Sequence, residues 1–474
     1  MTSWTLFILV AVAFGCIYVC NRVLTDSVKN ILVSKWVLLI ASYLFVLYAD
    51  VRFALILFAM TCTTWFFAPK RKWGFVGIVV PLLALSYFKY TNFFIDSFAN
   101  IFHLDHKTLS IVLPIGISFF TFSAISYIMD VRKGKVQTRG LLDVALYLAF
   151  FPKLVSGPIQ RSGDFFSQAD SRRKVGWNSF SCGVQIFVFG LFKKIVLADR
   201  LSVFVDQVYA TPAAFGSKTI LLAAIAYSLQ IYLDFSGYSD MAIGIARILG
   251  FNLPRNFNLP YLSHNVTELW KRWHISLSSW LLDYLYISLG GNRKGKVRTY
   301  INLILTMILG GLWHGANWTY IVWGLLHGIA LAVHKAWMTL TGTPNKMAGI
   351  VPTVISIALT FAFTTLCWIF FRAESLTDAC FVIRRIASFE VGLEQPYMWF
   401  FIAVVIVLVA SFGAYTMSKK KKLVATKCNM SVVEGFYPIL NLKKFWHLVL
   451  FFIEIGLLLS LAYTGGSPFI YGQY

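Results

Sequence analysis

Acidic side chains are scarce in this sequence: Asp and Glu together number 20 among 474 residues, and charged residues of both signs make up only 13%. Soluble domains average about 25% charged residues, so a set of ordinary soluble domains is excluded. The seven cysteines (Cys16, Cys20, Cys62, Cys182, Cys367, Cys380, Cys428) are scattered, mostly inside apolar runs. That spacing excludes a disulfide framework and a zinc site, and no bound metal is expected. No internal repeat stands out, and neither does a second domain. The first apolar run, from about Trp4 to Val19, lacks a basic leader and a small-residue cleavage site, so a retained span is expected rather than a signal peptide.

Apolar residues supply 58% of the chain and mean hydropathy is +0.70. They come in continuous runs rather than alternating ones. Inside a bilayer only helices and closed barrels satisfy the backbone, so the expectation is an all-α polytopic membrane protein. Against the ~20 residues a helix needs to cross, further candidate spans fall at 33–49, 51–67, 74–90, 109–129, 141–157, 179–198, 219–250, 299–313, 317–338, 350–371, 398–417 and 444–463. The stretch 219–250 reads as interrupted at Asp234, Gly237 and Asp240, and 299–313 reads as a short segment ending in Gly310-Gly311. Both suit broken or re-entrant helices, which are tolerated where they line a protein cavity. The expected organisation is one membrane-embedded domain over 1–474, with a tail at 464–474.

The net charge of +22 does not point to nucleic acid, because the basic residues lie in short clusters between apolar runs rather than on one face. Examples are Lys70-Arg71-Lys72, Arg132-Lys133, Arg172-Arg173-Lys174 and Lys419 to Lys422. Such clusters follow the positive-inside rule and favour anionic lipid as a neighbour. With Lys70 and Lys419 inside, both chain ends fall outside and the 251–300 region falls on the cytoplasmic side. Arg372, Arg384 and Arg385 run against that scheme.

Polar residues at membrane depth are expensive and mark function by default. They are densest from Asn252 to Asn317. Within that stretch Pro-Arg-Asn and Gly-Gly-Asn-Arg segments break helices around a Trp-rich amphipathic piece, Thr267 to Ile287, suited to the headgroup level. Of the eight histidines, His103 and His106 lie in a loop and His447 sits at a span edge. His327 and His334 share one apolar helix, which fits packing or an interhelical hydrogen bond, while His264 fits either a structural or a functional role. His314 differs, because it stands between Gly310-Gly311-Leu312-Trp313 and Gly315 at a break between two apolar runs. Small neighbours admit a close approach, and imidazole suits general-base work near neutrality. Asp234, Asp240 and Asp283 are acidic groups near the apolar core, where pairing with a basic partner is the expected role.

The runs DFSGYSDMAIGIARILGF, ELWKRWHISLSSWLLDYLYISLGGNRKGK and GGLWHGANW, with FFPKLVSGPIQR at 150–161 and the terminal PFIYGQY, resemble the membrane-bound O-acyltransferase family. The similarity runs from about Leu113 to Tyr474, and it is strongest to the branch of alginate and peptidoglycan O-acetyltransferase membrane components. The resemblance implies about eleven spans plus re-entrant and interfacial helices around a central tunnel. It implies His314 as general base and His274, in RWHIS, as the second family position, shaping a cytoplasmic funnel or holding the donor.

Lys271, Arg272, Arg293 and Lys294 are the candidate donor-binding cations, available to the phosphates of acetyl-coenzyme A or another acyl thioester. Asp234, Asp240, Asp283 and Asn317 are supporting residues, and no bound cofactor is implied. The C-terminal Phe-x-Tyr pattern is similar to an acyl relay with Tyr471 as carrier; Tyr474 in the last position departs from the usual Phe. The implied acceptor is a cell-envelope polysaccharide, reached through a separate extracytoplasmic SGNH-type transferase or esterase, and the implied location is a bacterial inner membrane. Two other readings compete: D-alanyl transfer to teichoic acid from a carrier protein, and a lipid or sugar transporter. The second would call for inverted repeats.

Overall fold

The computed structural model describes residues 3–70, 72–171, 175–342, 349–394, 440–463 and 465. The expected span 398–417, the basic runs 172–174 and 419–422, and the tail with Tyr471 and Tyr474 lie outside the described residues.

The described chain is helical. In order it forms α1 (Ser3–Val23), α2 (Ser27–Ala49), α3 (Val51–Phe67), α4 (Val76–Phe102), α5 (Ile117–Arg132), α6 (Leu141–Ala149), α7 (Phe151–Leu154), α8 (Ser162–Ala169) and α9 (Trp177–Phe192). A π-helical segment (Lys193–Ala198) leads into α10 (Asp199–Ala210) and α11 (Ser217–Ile248). Then come α12 (Val266–Arg272), α13 (Ile275–Trp280), a second π segment (Leu281–Tyr286), α14 (Lys296–His314), α15 (Trp318–Thr341), α16 (Ile350–Arg372), α17 (Leu376–Ala387) and α18 (Phe445–Leu461). Among the described residues the β contribution is one isolated parallel bridge, Phe215 with Leu393. Among the described residues six helices are long and apolar enough to cross a membrane: Ser27–Ala49, Val76–Phe102, Trp177–Ala210, Ser217–Ile248, Trp318–Thr341 and Ile350–Arg372. Shorter apolar helices lie at Ile8–Val23, Val51–Phe67 and Phe445–Leu461.

Several boundaries differ from those expected, each for a local reason. The run 109–129 becomes helical only at Ile117, because Gly116 takes a left-handed φ of 74°. A Cβ at Gly116 would run into the Leu154 carbonyl. The run 141–157 divides at Phe150 into α6 and α7, with Pro152 in the first turn of α7, where its missing N–H costs nothing. The expected interruption of 219–250 does not occur, since α11 runs unbroken through Asp234, Gly237 and Asp240. Asp234 is neutralised by Lys194, and Gly237 lies against the Gly190 backbone, where a Cβ would clash. The polar and glycine positions of this run are therefore packing features of a continuous helix. The segment read as short, 299–313, extends to Lys296–His314 because its basic first turn is helical although not apolar.

The chain contacts divide it into two compact units. The first holds the described parts of Met1–Phe187 and Ser239–Pro254. In it Lys35 of α2 reaches Asp143 at 2.7 Å and Asp170 at 2.6 Å, and Arg139 binds the other oxygen of Asp170 at 2.6 Å. The rings of Phe150, Phe165 and Phe251 pack together in its core. The second unit takes in Val188–Tyr238 and most of the chain from Arg255 onward, and contains the candidate site.

Candidate active site

His314 is the last residue of α14, the first arm of a tight helical hairpin with α15. Glycine makes the hairpin tight. A Cβ on Gly311 would meet the Tyr320 carbonyl, one on Gly324 would meet the Met307 carbonyl, and one on Gly328 would sit 2.8 Å from the Ile304 Cα. Small residues at such a contact let the backbones approach to van der Waals distance, which drives helix pairing where lipid supplies no hydrophobic force. Between the arms, Gly315 lies under the Tyr320 ring, in space no side chain could share. Asn317 then starts α15, its side-chain oxygen accepting from the Thr319 N–H at 3.0 Å. Its amide nitrogen also donates to the Glu374 carbonyl at 2.8 Å, tying the turn to the end of α16.

The His314 imidazole is 4% exposed. Its ring lies 4.9 Å from Trp313, 5.2 Å from Trp323 and 5.4 Å from Phe371, all edge to face. Such a setting is dry and rigid, and it strengthens any polar interaction formed within it.

His274 sits in a strained turn between α12 and α13, with φ 43° and ψ 52°. Left-handed backbone on a non-glycine residue costs about 1–2 kcal/mol, and here Asn256 holds it in place. The Ile275 N–H donates to the Asn256 carbonyl at 2.9 Å. The Asn256 side-chain oxygen accepts from the Ser276 hydroxyl at 2.7 Å and faces His274 Nδ1 at 3.2 Å. The ring packs edge-on against Phe235 at 4.6 Å and reaches Trp313 at 6.4 Å. Burial pushes the His274 imidazole down to about 3, so it is neutral at physiological pH. Trp313 therefore touches both histidines that the sequence singled out.

A third histidine belongs to the same assembly, one whose sequence context fits packing or an interhelical hydrogen bond. His327 is 1% exposed, with its ring 5.1 Å from Trp270, 5.1 Å from Trp323 and 5.5 Å from Phe363. Among the described residues neither of its nitrogens has a hydrogen-bond partner, and the same holds for the indole N–H groups of Trp270 and Trp323. Leaving a buried polar group unsatisfied costs about 1–3 kcal/mol. Trp323 thus packs against both His314 and His327. The signal for this was present, since Trp323 and His327 are four apart on one helix and share a face. That Trp270, Trp368 and Phe371 close around them required the fold: Trp368 lies 5.7 Å from Trp323 and 5.2 Å from Phe371.

Three further histidines have ordinary partners. His264 faces Glu268 at 2.7 Å, His334 faces the Thr267 hydroxyl at 2.8 Å, and His106 faces Asp96 at 2.6 Å.

The acidic candidates separate. Asp234, buried in α11, pairs with Lys194 at 2.7 Å, and the same amine reaches Asp199 at 2.8 Å. Lys194 lies in the first π segment, which carries it into this buried cluster with Asp199 and Asp234. Asp240 is buried in the first unit, and Asp283 is half-buried in the second π segment. Of the basic candidates, Arg272 is committed to Glu268 at 2.6 Å and to the Asn258 carbonyl at 3.3 Å. Lys271, Arg293 and Lys294 are exposed. Burial raises the Glu268 carboxyl, but the hydrogen bonds from His264 and Arg272 outweigh it and hold the group below its ordinary value.

In chemical terms the second unit offers a buried imidazole at a helix end, enclosed by aromatic rings, beside a further group of buried and unsatisfied polar edges. The arrangement suits proton removal from a hydroxyl under exclusion of water.

Comparison with known proteins gives the family. The MBOAT, membrane-bound O-acyltransferase family, matches residues 32–372, a segment that holds His274, His314 and His327. The chain is 41% identical over 400 residues to a probable alginate O-acetylase AlgI of Pseudomonas putida, covering 81% of this chain and 79% of that protein. It is 37% identical over 399 residues to a peptidoglycan O-acetyltransferase of Helicobacter pylori, covering 76% of this chain and 75% of the other. A teichoic acid D-alanyltransferase of Streptococcus thermophilus is 32% identical over 262 residues, 52% of this chain and 63% of that one.

Proposed function

This chain belongs to the membrane-bound O-acyltransferase family, and we propose that it moves an acetyl group from a cytoplasmic thioester across the membrane for O-acetylation of an extracytoplasmic polysaccharide. The observation that carries this reading is His314, a buried imidazole at the end of α14, held in an aromatic enclosure by the glycine-packed hairpin. The donor is acetyl-coenzyme A, with its phosphates met by the exposed Lys271, Arg293 and Lys294. Arg272 supports that face through Glu268 rather than by contacting the donor. His274, neutral and fixed by Asn256, shapes the donor side.

The acceptor of the first step is the Tyr471 hydroxyl of the tail. His314 takes the phenolic proton as the oxygen attacks the thioester carbonyl. The carbon–sulfur bond then breaks, and the departing thiolate takes the proton back from the imidazolium. The products are an acetyl-tyrosine ester and free thiol. A separate SGNH-type transferase outside the membrane passes the acetyl group from the tyrosine to a polysaccharide hydroxyl. The names of the relatives support acetyl over D-alanyl, since the acetyl-transferring ones match at higher identity over more of the chain. A bacterial inner membrane is the setting this route calls for.

The test is intact-mass analysis of the purified protein after incubation with labelled acetyl-coenzyme A, for wild type, His314→Ala and Tyr471→Phe. A labelled adduct on Tyr471, absent from both variants, is expected, with thiol release falling about 10²–10⁴-fold in His314→Ala. Thiol release without an adduct would remove the tyrosine relay and leave the base. Release only from an aminoacyl carrier thioester would replace acetyl with D-alanyl.

A further inference from the structure

Three polar edges in the second unit are buried and unsatisfied within one cluster of rings. Trp270, Trp323 and His327 form a triangle with centroid distances of 5.8, 5.1 and 5.1 Å, every pair edge to face. Trp323 and His327 are each 1% exposed, and among the described residues neither indole N–H nor either imidazole nitrogen has a hydrogen-bond partner. An indole N–H can only donate, and a neutral imidazole supplies one donor and one acceptor. A cluster with at least three donors and a single acceptor, in a dry aromatic box, is complementary to an oxygen that gains negative charge. The Trp323 ring also packs edge to face with His314 at 5.2 Å, so the donors and the base share a neighbouring side chain.

We propose that His327, with the indole N–H groups of Trp270 and Trp323, is the site that receives the carbonyl oxygen of the acyl group during transfer. The inference rests on the acyl-transfer reading above. When the acceptor hydroxyl oxygen bonds to the thioester carbon, the carbonyl π pair moves onto oxygen and His314 holds the hydroxyl proton. The donors bind that oxyanion until the pair returns, the carbon–sulfur bond breaks and the thiolate is protonated by His314. Preorganised donors in a water-excluded site stabilise the transition state more than the ground state, and removing one typically costs roughly 10²–10³ in kcat. Packing alone makes a different demand, which phenylalanine would meet at both Trp323 and His327.

The test uses the full chain, purified in detergent, with thiol release from acetyl-coenzyme A and a control on folding from its thermal transition. His327→Phe and Trp323→Phe keep a ring in the box and remove the polar edge, while His327→Gln keeps a donor. The expected result is a loss of about 10²–10³ in kcat with little change in KM for each Phe variant, and recovery to within about tenfold in His327→Gln. The reference is the His314-dependent part of the wild-type rate. Wild-type kcat in both Phe variants, or equal loss in His327→Phe and His327→Gln, would overturn the proposal. If His327→Phe fails to fold, Trp323→Phe decides alone. Absence of any His314-dependent release in wild type, from acetyl-coenzyme A or an aminoacyl carrier thioester, would overturn the underlying reading and this inference with it.

Discussion

Replacing Gly324 by alanine tests whether the close approach of α14 and α15 is what holds His314 in place. The new methyl group would be forced onto the Met307 carbonyl and to 3.0 Å from the Ile308 Cα, both backbone atoms that no rotamer change can move aside. Ordinary carbon contacts lie at about 3.5–4.0 Å, so the two helices must part by roughly 1 Å. Overpacking of this kind costs about 1–3 kcal/mol, and a backbone clash belongs near the upper figure. Alanine returns up to about 1 kcal/mol in helix propensity, leaving a net loss of about 2 kcal/mol. Catalysis should suffer more. His314 rides on the end of α14, and a shift of ~1 Å in a reacting group can cost about 10²-fold. Gly456→Ala in α18 is the control, because a Cβ there meets open space. Thermal unfolding in detergent should place Gly324→Ala several degrees below wild type, and thiol release should fall about 100-fold, mostly in kcat. Gly456→Ala should match wild type in turnover and lose no stability. If the two alanine variants prove indistinguishable, glycine packing does not position the base.

Lys194→Met would leave the carboxylates of Asp199 and Asp234 buried without their shared cation, and breaking a buried pair costs about 3–5 kcal/mol; a thermal transition close to wild type would show that other groups neutralise them. The Glu268 carboxyl is held below its ordinary value of 4.5 in the folded chain, so the unfolded chain binds its proton first as pH falls. Its contribution is therefore fully present above ~4.5 and is lost as pH drops through the lower folded value. Glu268→Gln should flatten the acid side of a plot of melting temperature against pH, and parallel curves for the two proteins would refute the assignment.

How much of this protein could be read without coordinates depended on the range of the interactions involved. The helical membrane architecture was legible, because a bilayer demands internally satisfied backbone and the apolar runs declare it residue by residue. The span 51–67 matches α3 at both ends, and 350–371 matches α16 to within one residue. The end of α14 was legible for a similar reason. Gly315 and the capping Asn317 are local signals, and they isolate His314 at a turn whatever surrounds it.

The misreadings were long-range in origin. Asp234 reads as part of a helix interruption, and although a basic partner is expected for it, only the fold shows that this partner is Lys194, forty residues earlier in the chain, and that the helix runs through unbroken. Arg272 reads as a free phosphate ligand until the first turn of α12 presents Glu268 to it. His327 reads as packed or hydrogen-bonded on an apolar helix and is indeed packed, but nothing in its own segment shows that Trp270 will close over it. Sequence determined the helical, apolar character of the chain and which histidine ends a helix, because backbone hydrogen bonding, apolar run length and capping act over one or two turns. Tertiary structure decided which charges neutralise one another and which rings enclose the base, because those partners come from distant segments and meet only when the helices pack.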